Sequence, residues 1–494
     1  MADAPSCCLR RVTSCHTVDS REQIVGRGST AAMPAAPDTS SANKAMIDVA
    51  EILRVAAFGR YHLWILILSC AVTFFDGLDF LLIAYTLPYI RDEMHLSETA
   101  MGYVSAAAFV GQMIGALAGA YLADLLGRKP IILTCTMLSA FLTFSTGFAQ
   151  TPETLMILRL LAGLTIGGLL APAWSLNIEV MPRAMRATSV TIIMLGFSLG
   201  ASASGALTNL IAPHLGWHAV FFLCGALTLI LALVLLFTLP ESVRWMVAKG
   251  KPASAVLPAL QRLAPNEPLD RSSSFYLSDE ASSSERTSPA AMFQQLFKGW
   301  LAYITPLIWV AYFCSSFAIY LKTSFGVLFL EELGLSVPDA TWLGAVTGLL
   351  GALGGVLLLA LTEKRGPAWI ALAPAIGAPF TLLLGLGLVL NGPFFIPVVL
   401  MSSIMVGTGH AAVVAMTGIY YPSAIRATGG GWASFVAKFA SVAAPIIGAH
   451  FFLGTKERVL HGYLFSAACL LGVIVCVLAL AKFAARLTEQ KPDA

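Results

Sequence analysis

The chain reads as an all-α integral membrane protein: twelve transmembrane helices in two pseudo-symmetric six-helix bundles. Three observations lead there. Hydrophobic residues make up 57% of its 494 residues and charged ones only 12%, with a mean hydropathy of +0.79. Soluble domains carry about 25% charged residues. The apolar blocks run longer than about 18 residues, the length of a helix that crosses a bilayer rather than of a barrel strand. The blocks also fall six and six around a polar centre.

Residues 1–45 are rich in Ser, Ala, Thr and Pro and have no apolar h-region, so they read as a disordered tail and not a signal peptide. Met33 and Met46 are alternative starts, because Met46-Ile47-Asp48-Val49 leads directly into the first helix. The first bundle, 46–239, holds apolar segments at about 61–90, 99–123, 131–149, 154–181, 188–212 and 217–239. A polar linker, 240–299, follows and contains Arg271-Ser272-Ser273-Ser274 and Ser282-Ser283-Ser284. The second bundle, 300–485, holds segments at about 300–330, 340–362, 368–390, 393–421, 428–453 and 460–484. Residues 486–494 form a C-terminal tail.

Loop charge gives the orientation, since cytoplasmic loops carry an excess of Lys and Arg. With both termini in the cytoplasm, 24 of the 30 Lys and Arg lie on that side, 5 of them in the tail. Only Arg91, Lys456 and Arg458 fall outside, and Arg159, Lys322 and Lys438 fall within spans. The linker is then a cytoplasmic loop. A net charge of +3 points to no partner, and no basic nucleic-acid motif is present.

Nine cysteines occur. Cys7, Cys8 and Cys15 lie in the tail; Cys70, Cys135, Cys224, Cys314, Cys469 and Cys476 lie in apolar helices, where small packing residues are the simplest account. No C-x-x-C pair or zinc-like cluster with histidines appears, so neither a metal nor a cofactor is expected. An enzyme would need a nucleophile–base or metal cluster, and no such spacing appears.

The chemistry begins in span 1, at Phe75-Asp76-Gly77-Leu78-Asp79-Phe80. A bare carboxylate at membrane depth costs several kcal/mol, so it lines a cavity, finds a partner or takes up a proton. The pair points to proton-linked transport; the plainer alternative is that one aspartate pins span 1 to a neighbour. On an ideal helix the two lie about 300° apart, leaving a gap of about 60° between their faces. Arg159 in span 4 is a third intramembrane charge and calls for an aspartate or an anionic substrate. Gly163 and Gly167 beside it form a small-x-x-x-small packing face. Glu179, lower on the same helix, is open to pairing with Arg183 or Arg186, or to a gate or proton step.

Between spans 2 and 3 stands Asp124-Leu125-Leu126-Gly127-Arg128-Lys129. An acid at a helix end with two bases just beyond it can latch neighbouring helices and release as two halves rock. With the twelve-span plan, this motif resembles the major facilitator superfamily. Leu361-Thr362-Glu363-Lys364-Arg365-Gly366-Pro367 is a degenerate copy in the second half. The halves rhyme again after spans 4 and 10, at Met181-Pro182-Arg183-Ala184-Met185-Arg186 and Tyr421-Pro422-Ser423-Ala424-Ile425-Arg426. Repeated halves suit a rocking transporter with its site at the midplane.

Asp76-Gly77-Leu78-Asp79 is similar to the Asp-Gly-x-Asp motif of the aromatic acid:proton symporter family. Gly216-Trp217-His218-Ala219-Val220-Phe221 and Pro240-Glu241-Ser242-Val243-Arg244 also match, and the resemblance runs from about 46 to 485. Span 5, with small residues but no Gly-Pro kink, is unlike the drug-antiporter branch and favours uptake. The resemblance implies proton-coupled uptake of benzoate-, hydroxybenzoate- or phenoxyacetate-like acids by a bacterial inner-membrane protein, expected to be a monomer. The chain departs from the family at Lys438, usually arginine, at Lys322, usually apolar, and at Ala171-Pro172-Ala173-Trp174.

In this superfamily spans 1, 4, 7 and 10 line the cavity. Asp76, Asp79 and Glu179 are then the candidates for proton coupling, and Arg159, Lys322 and Lys438 for the substrate carboxylate. Phe74, Trp174 and Tyr320 are candidates for the ring, although aromatics at such positions are more often simple packing residues. His410 reads either as a site residue or as a helix-packing hydrogen bond. Asp124, Arg128, Lys129, Arg186 and Arg426 are the gating candidates. The competing expectations are proton-linked transport of a non-aromatic organic acid, lactone or sugar, and a non-transporting sensor.

Overall fold

The computed structural model describes residues 46–265, 274–279, 289–390, 392–422 and 425–489. The N-terminal tail, most of the linker's serine runs and residues 490–494 lie outside the described residues. Eleven helices among those described are long and apolar enough to cross a membrane. One of them, Arg186–Thr238, is two spans: Gly216, at φ 78° and ψ 164°, breaks it. The spans therefore number twelve.

Spans 1 to 4 are Arg60–Met94, Glu98–Leu126, Arg128–Thr146 and Pro152–Val180. Spans 5 and 6 are the two arms about Gly216. Spans 7 and 8 are Leu301–Glu332 and Val337–Arg365. Span 9 is Leu372–Gly385, entered through a 3-10 turn at Pro367–Ala371. Span 10, Phe395–Val414, resumes as Met416–Tyr420; spans 11 and 12 are Arg426–Phe451 and Lys456–Glu489. Leu117, Phe237 and Leu357 are among the large apolar side chains on the outer surface, where lipid tails would meet them.

The halves repeat each other in detail. Spans 2 and 8 begin on serine caps: Ser97 Oγ accepts from the Ala100 amide and Ser336 Oγ from the Asp339 amide. Each cap satisfies an amide that the first turn leaves without a partner. Both spans end on a glycine in the left-handed region, Gly127 at φ 112° and Gly366 at φ 99°. The degenerate second motif thus keeps the turn of the first.

Span 2 locks onto span 4 through glycines on both sides. A Cβ on Gly111 or Gly115 would overlap the Leu160 or Leu164 carbonyl, and one on Gly163 would overlap the Ala108 carbonyl. The backbones themselves are in contact, which only a missing side chain permits. Spans 1 and 5 are joined in the same way, by Gly77 against Phe197 and Gly200 against Phe74.

The linker is not a bare polar loop. It contains the helices Val243–Ala248, Ala253–Leu263 and Pro289–Gln295. Val256, Leu260 and Leu263 recur at helical spacing and pack against Val49, Leu53 and the base of the first half. Met46–Asp48 does not lead directly into span 1 either. It forms a short strand parallel to Ser274–Tyr276, pairing Met46 with Ser274, and a small helix, Val49–Val55, precedes span 1. These are the only strands among the described residues. Together they define a linker end of the molecule, where spans 2, 4, 8 and 10 finish, and an opposite end.

Gly163→Leu is expected to abolish stable folding, because a backbone carbonyl cannot yield as a side chain can; the cost exceeds the roughly 1–3 kcal/mol of ordinary overpacking. Gly431→Ala, which meets nothing within 4 Å, should be tolerated. The monodisperse fraction after detergent extraction measures both.

Candidate functional site

A cavity of about 770 Å³ lies between the two halves. Its lining runs along span 8 from Leu343 to Glu363, which is exposed at the linker end. At the opposite end the halves meet. Arg91, near the end of span 1, donates to both carboxylate oxygens of Glu331, near the end of span 7, at 2.8 and 3.1 Å. Asn209 of span 5 donates to the Pro338 carbonyl at 2.8 Å. A methyl on Gly205 would meet Ala345 of span 8 at 3.0 Å, and one on Gly102 the Pro445 carbonyl of span 11 at 2.9 Å. The cavity is therefore closed at the end where the halves touch.

Trp174, Tyr320, Lys322, His410 and Lys438 all line this cavity. Phe74 and Arg159 do not. Phe74 packs edge-on against Phe75 at 5.4 Å. Phe80 and Phe197, not singled out from the sequence, supply aromatic wall instead. Phe80 packs at 5.5 Å from Phe197 and 5.8 Å from Phe109, which meets Tyr320 edge-on at 5.0 Å. The available sequence signal was period: Phe80 follows Asp76 by four residues and so shares its face.

Two half-buried lysines of the second half line the cavity. Lys322 Nζ donates to the Ser403 carbonyl at 3.0 Å and the Thr347 hydroxyl at 3.4 Å. Lys438 Nζ donates across the interface to Oε1 of Gln112 on span 2. Among the described residues neither lysine makes an ion pair. His410 makes a hydrogen bond with Ser315 at 3.1 Å, yet it also lines the cavity, so both of its sequence readings have a basis.

The aspartates stand behind the wall on the first half. Asp79 Oδ1 accepts from Arg159 Nη1 at 3.2 Å, with both side chains almost wholly buried. Arg159 also donates to Thr146 of span 3 at 2.6 Å and lies over the Phe221 ring of span 6 at 5.1 Å. The pair borders a void of about 10 Å³ that shares Phe80 and Gln112 with the main cavity. Asp76 is buried too, and neither of its oxygens has a hydrogen-bond partner. The charges that act on it are those of Asp79 and Lys438. Gln112 therefore stands where the Asp79–Arg159 pair and the main cavity meet, a position the sequence did not reveal because a lone glutamine has no motif.

The charges of the Asp124–Lys129 motif make their contacts within one half. Arg128 pairs with Asp124 at 3.1 Å and Glu179 at 2.8 Å. Glu179 thus takes Arg128 rather than Arg183 or Arg186, and it also accepts from the Ser242 hydroxyl. Glu241 accepts from the amides of Arg128 at 2.9 Å, Lys129 at 3.3 Å and Ser242 at 2.8 Å. Trp245 Nε1 donates to the Asp124 carbonyl at 3.1 Å. This cluster ties spans 2, 3, 4 and 6 into one body. The ion pair that joins the halves among the described residues is Arg91–Glu331, whose arginine the sequence marked only as a charge on the outer side. Arg186 and Arg426 do not join the halves either. They donate to carbonyls five residues back, Met181 at 3.1 Å and Tyr421 at 3.2 Å. The sequence rhyme is a repeated turn geometry.

Comparison with known proteins agrees with this architecture. The family model described as Major Facilitator Superfamily matches residues 69–445. The chain is 30% identical to the gallate transporter of Pseudomonas putida over 82% of its own length and 88% of that protein. It is 28% identical to the 4-hydroxybenzoate transporter PcaK of Acinetobacter baylyi, again over 82% of this chain and 88% of that one. Among solved structures, a bacterial homologue of the human lysosomal transporter Spinster superposes with a TM-score of 0.64 at 17% identity, covering 87% of this chain and 96% of that one. With the family match spanning most of its spans, and with two repeated halves enclosing a central cavity, the chain is a multi-pass membrane transporter that belongs to the Major Facilitator Superfamily.

Proposed function

We propose that the protein takes up an aromatic carboxylate together with a proton, by alternating access. The observation that carries this reading is Lys438, a half-buried cation on the wall of an aromatic-lined cavity, held by the neutral amide of Gln112, while Asp76 of the first half is a buried acid without hydrogen bonds. Such a cation accepts a carboxylate well, because an anion replaces the water that burial removed. The relatives named as gallate and 4-hydroxybenzoate transporters support an aromatic acid as cargo.

The cycle follows from the charges. A proton from outside neutralises Asp76, and Lys438 turns from that acid to the substrate carboxylate. The ring lies against Phe80, Phe197 and Tyr320. The halves then rock, Arg91 closes on Glu331, and the cavity opens at the linker end. Loss of both ligands restores the Asp76–Lys438 attraction. Asp79 serves less as a carrier than as the fixed partner of Arg159. We assign the linker end to the cytoplasm of a bacterium, from the 24 of 30 Lys and Arg on that side, and the chain to the inner membrane as a monomer.

The test is uptake of radiolabelled 4-hydroxybenzoate by energised cells, with and without a protonophore. Asp76→Asn should lose accumulation against a gradient while keeping exchange of internal for external substrate. Asp79→Asn should lose both, because an unpaired buried Arg159 costs about 3–5 kcal/mol. Proton-driven accumulation at the wild-type level in both variants would rule out the carrier role. Lys438→Ala should raise the half-saturating concentration by about tenfold or more, the loss of one charge-assisted contact.

The gate has its own test. Arg91→Glu should leave the end opposite the linker open more of the time, read as faster modification of a cysteine placed at Ala345. Adding Glu331→Arg should restore slow modification. Equal rates in all three proteins would remove Arg91–Glu331 as the gate.

A further inference from the structure

The cavity holds one more cation than a simple benzoate can use. Lys322 and Lys438 both line it, and every hydrogen-bond partner of either is neutral: Thr347 and the Ser403 carbonyl for one, Gln112 for the other. Among the described residues the acids nearby are accounted for. Asp79 is committed to Arg159. Asp76 acts on Lys438. Glu363, the acid on the cavity lining, is exposed at the linker end. Among the described residues Lys322 makes no ion pair.

The two lysines also belong to different walls. Lys322 is held among spans 7, 8 and 10, whereas Lys438 reaches from span 11 to span 2. We infer that the cavity is built for an aromatic acid with a second anionic group, one anion on Lys438 and the other on Lys322, with the ring between them. This rests on the proton–carboxylate reading above and narrows its substrate class. Once Asp76 is protonated, both lysines lack a counter-charge. A monoanion answers one of them; a dianion answers both and lets the loaded cavity cross the closed state without net charge. A volume of about 770 Å³ holds a benzene ring with two carboxylates with room to spare.

The experiment uses the full chain in proteoliposomes under an imposed proton gradient. Labelled benzoate is compared with labelled benzene-1,3- and benzene-1,4-dicarboxylate, for the wild type, Lys322→Met and Lys322→Arg. The wild type should favour at least one dicarboxylate over benzoate by about tenfold or more in half-saturating concentration, the scale of losing one charge-assisted contact. Lys322→Met should reduce that preference ratio at least about tenfold, and Lys322→Arg should preserve it. Wild-type preference for benzoate, or a Lys322→Met variant that keeps the ratio, overturns the inference and leaves the proposed function standing. Transport of none of the three acids overturns the proposed function as well. The wild-type ratio decides the matter even if Lys322→Met does not fold.

Discussion

The first half of the molecule is organised around the buried contact of Arg159 with Asp79. Removing two charges from water costs several kcal/mol each, and attraction alone offsets this only where further partners satisfy the groups. Arg159 has them: Asp79 on span 1, Thr146 on span 3 and the Phe221 face on span 6. One guanidinium from span 4 therefore fixes the positions of three other spans. Span 4 is itself held backbone to backbone against span 2 by the glycine contacts. The same contacts set Gln112 at the cavity wall, since the Gln112 carbonyl is what Gly167 packs against.

The halves share a backbone plan and divide the chemistry. The intramembrane acids, Asp76 and Asp79, are on the first half; the cavity bases, Lys322, His410 and Lys438, are on the second. A carrier that couples two ligands needs their sites to sense each other across the surface that moves. Here that surface is crossed, at the cavity, by a side-chain contact from Lys438 to Gln112. The latch residues Arg128, Glu179 and Glu241 stiffen one half so that it moves as a unit, which complements a contact that must break.

Much of this was legible in the sequence because membranes leave few options. Backbone groups in lipid must be satisfied within a helix, so length and hydropathy place the spans. Intramembrane charges are expensive, so Asp79, Arg159, Lys322 and Lys438 stood out one by one. What stayed hidden was pairing. Arg91 and Glu331 lie 240 residues apart, and neither is unusual at the end of a helix. Gln112 and Phe197 are ordinary residues made important by the helix opposite. The linker was misjudged from composition, because its polar average conceals the Val256, Leu260 and Leu263 stripe.

Gly216 has a mechanical consequence. Spans 5 and 6 meet at this single non-helical residue, with no loop to take up slack. Span 5 forms cavity wall and touches span 8, while span 6 presents Phe237 and Ile230 outward. Any swing of the wall must drag span 6 sideways through the hydrocarbon. The viscosity and lateral pressure of the surrounding lipid thus enter the transport cycle as a load on a lever, through a residue that touches no substrate.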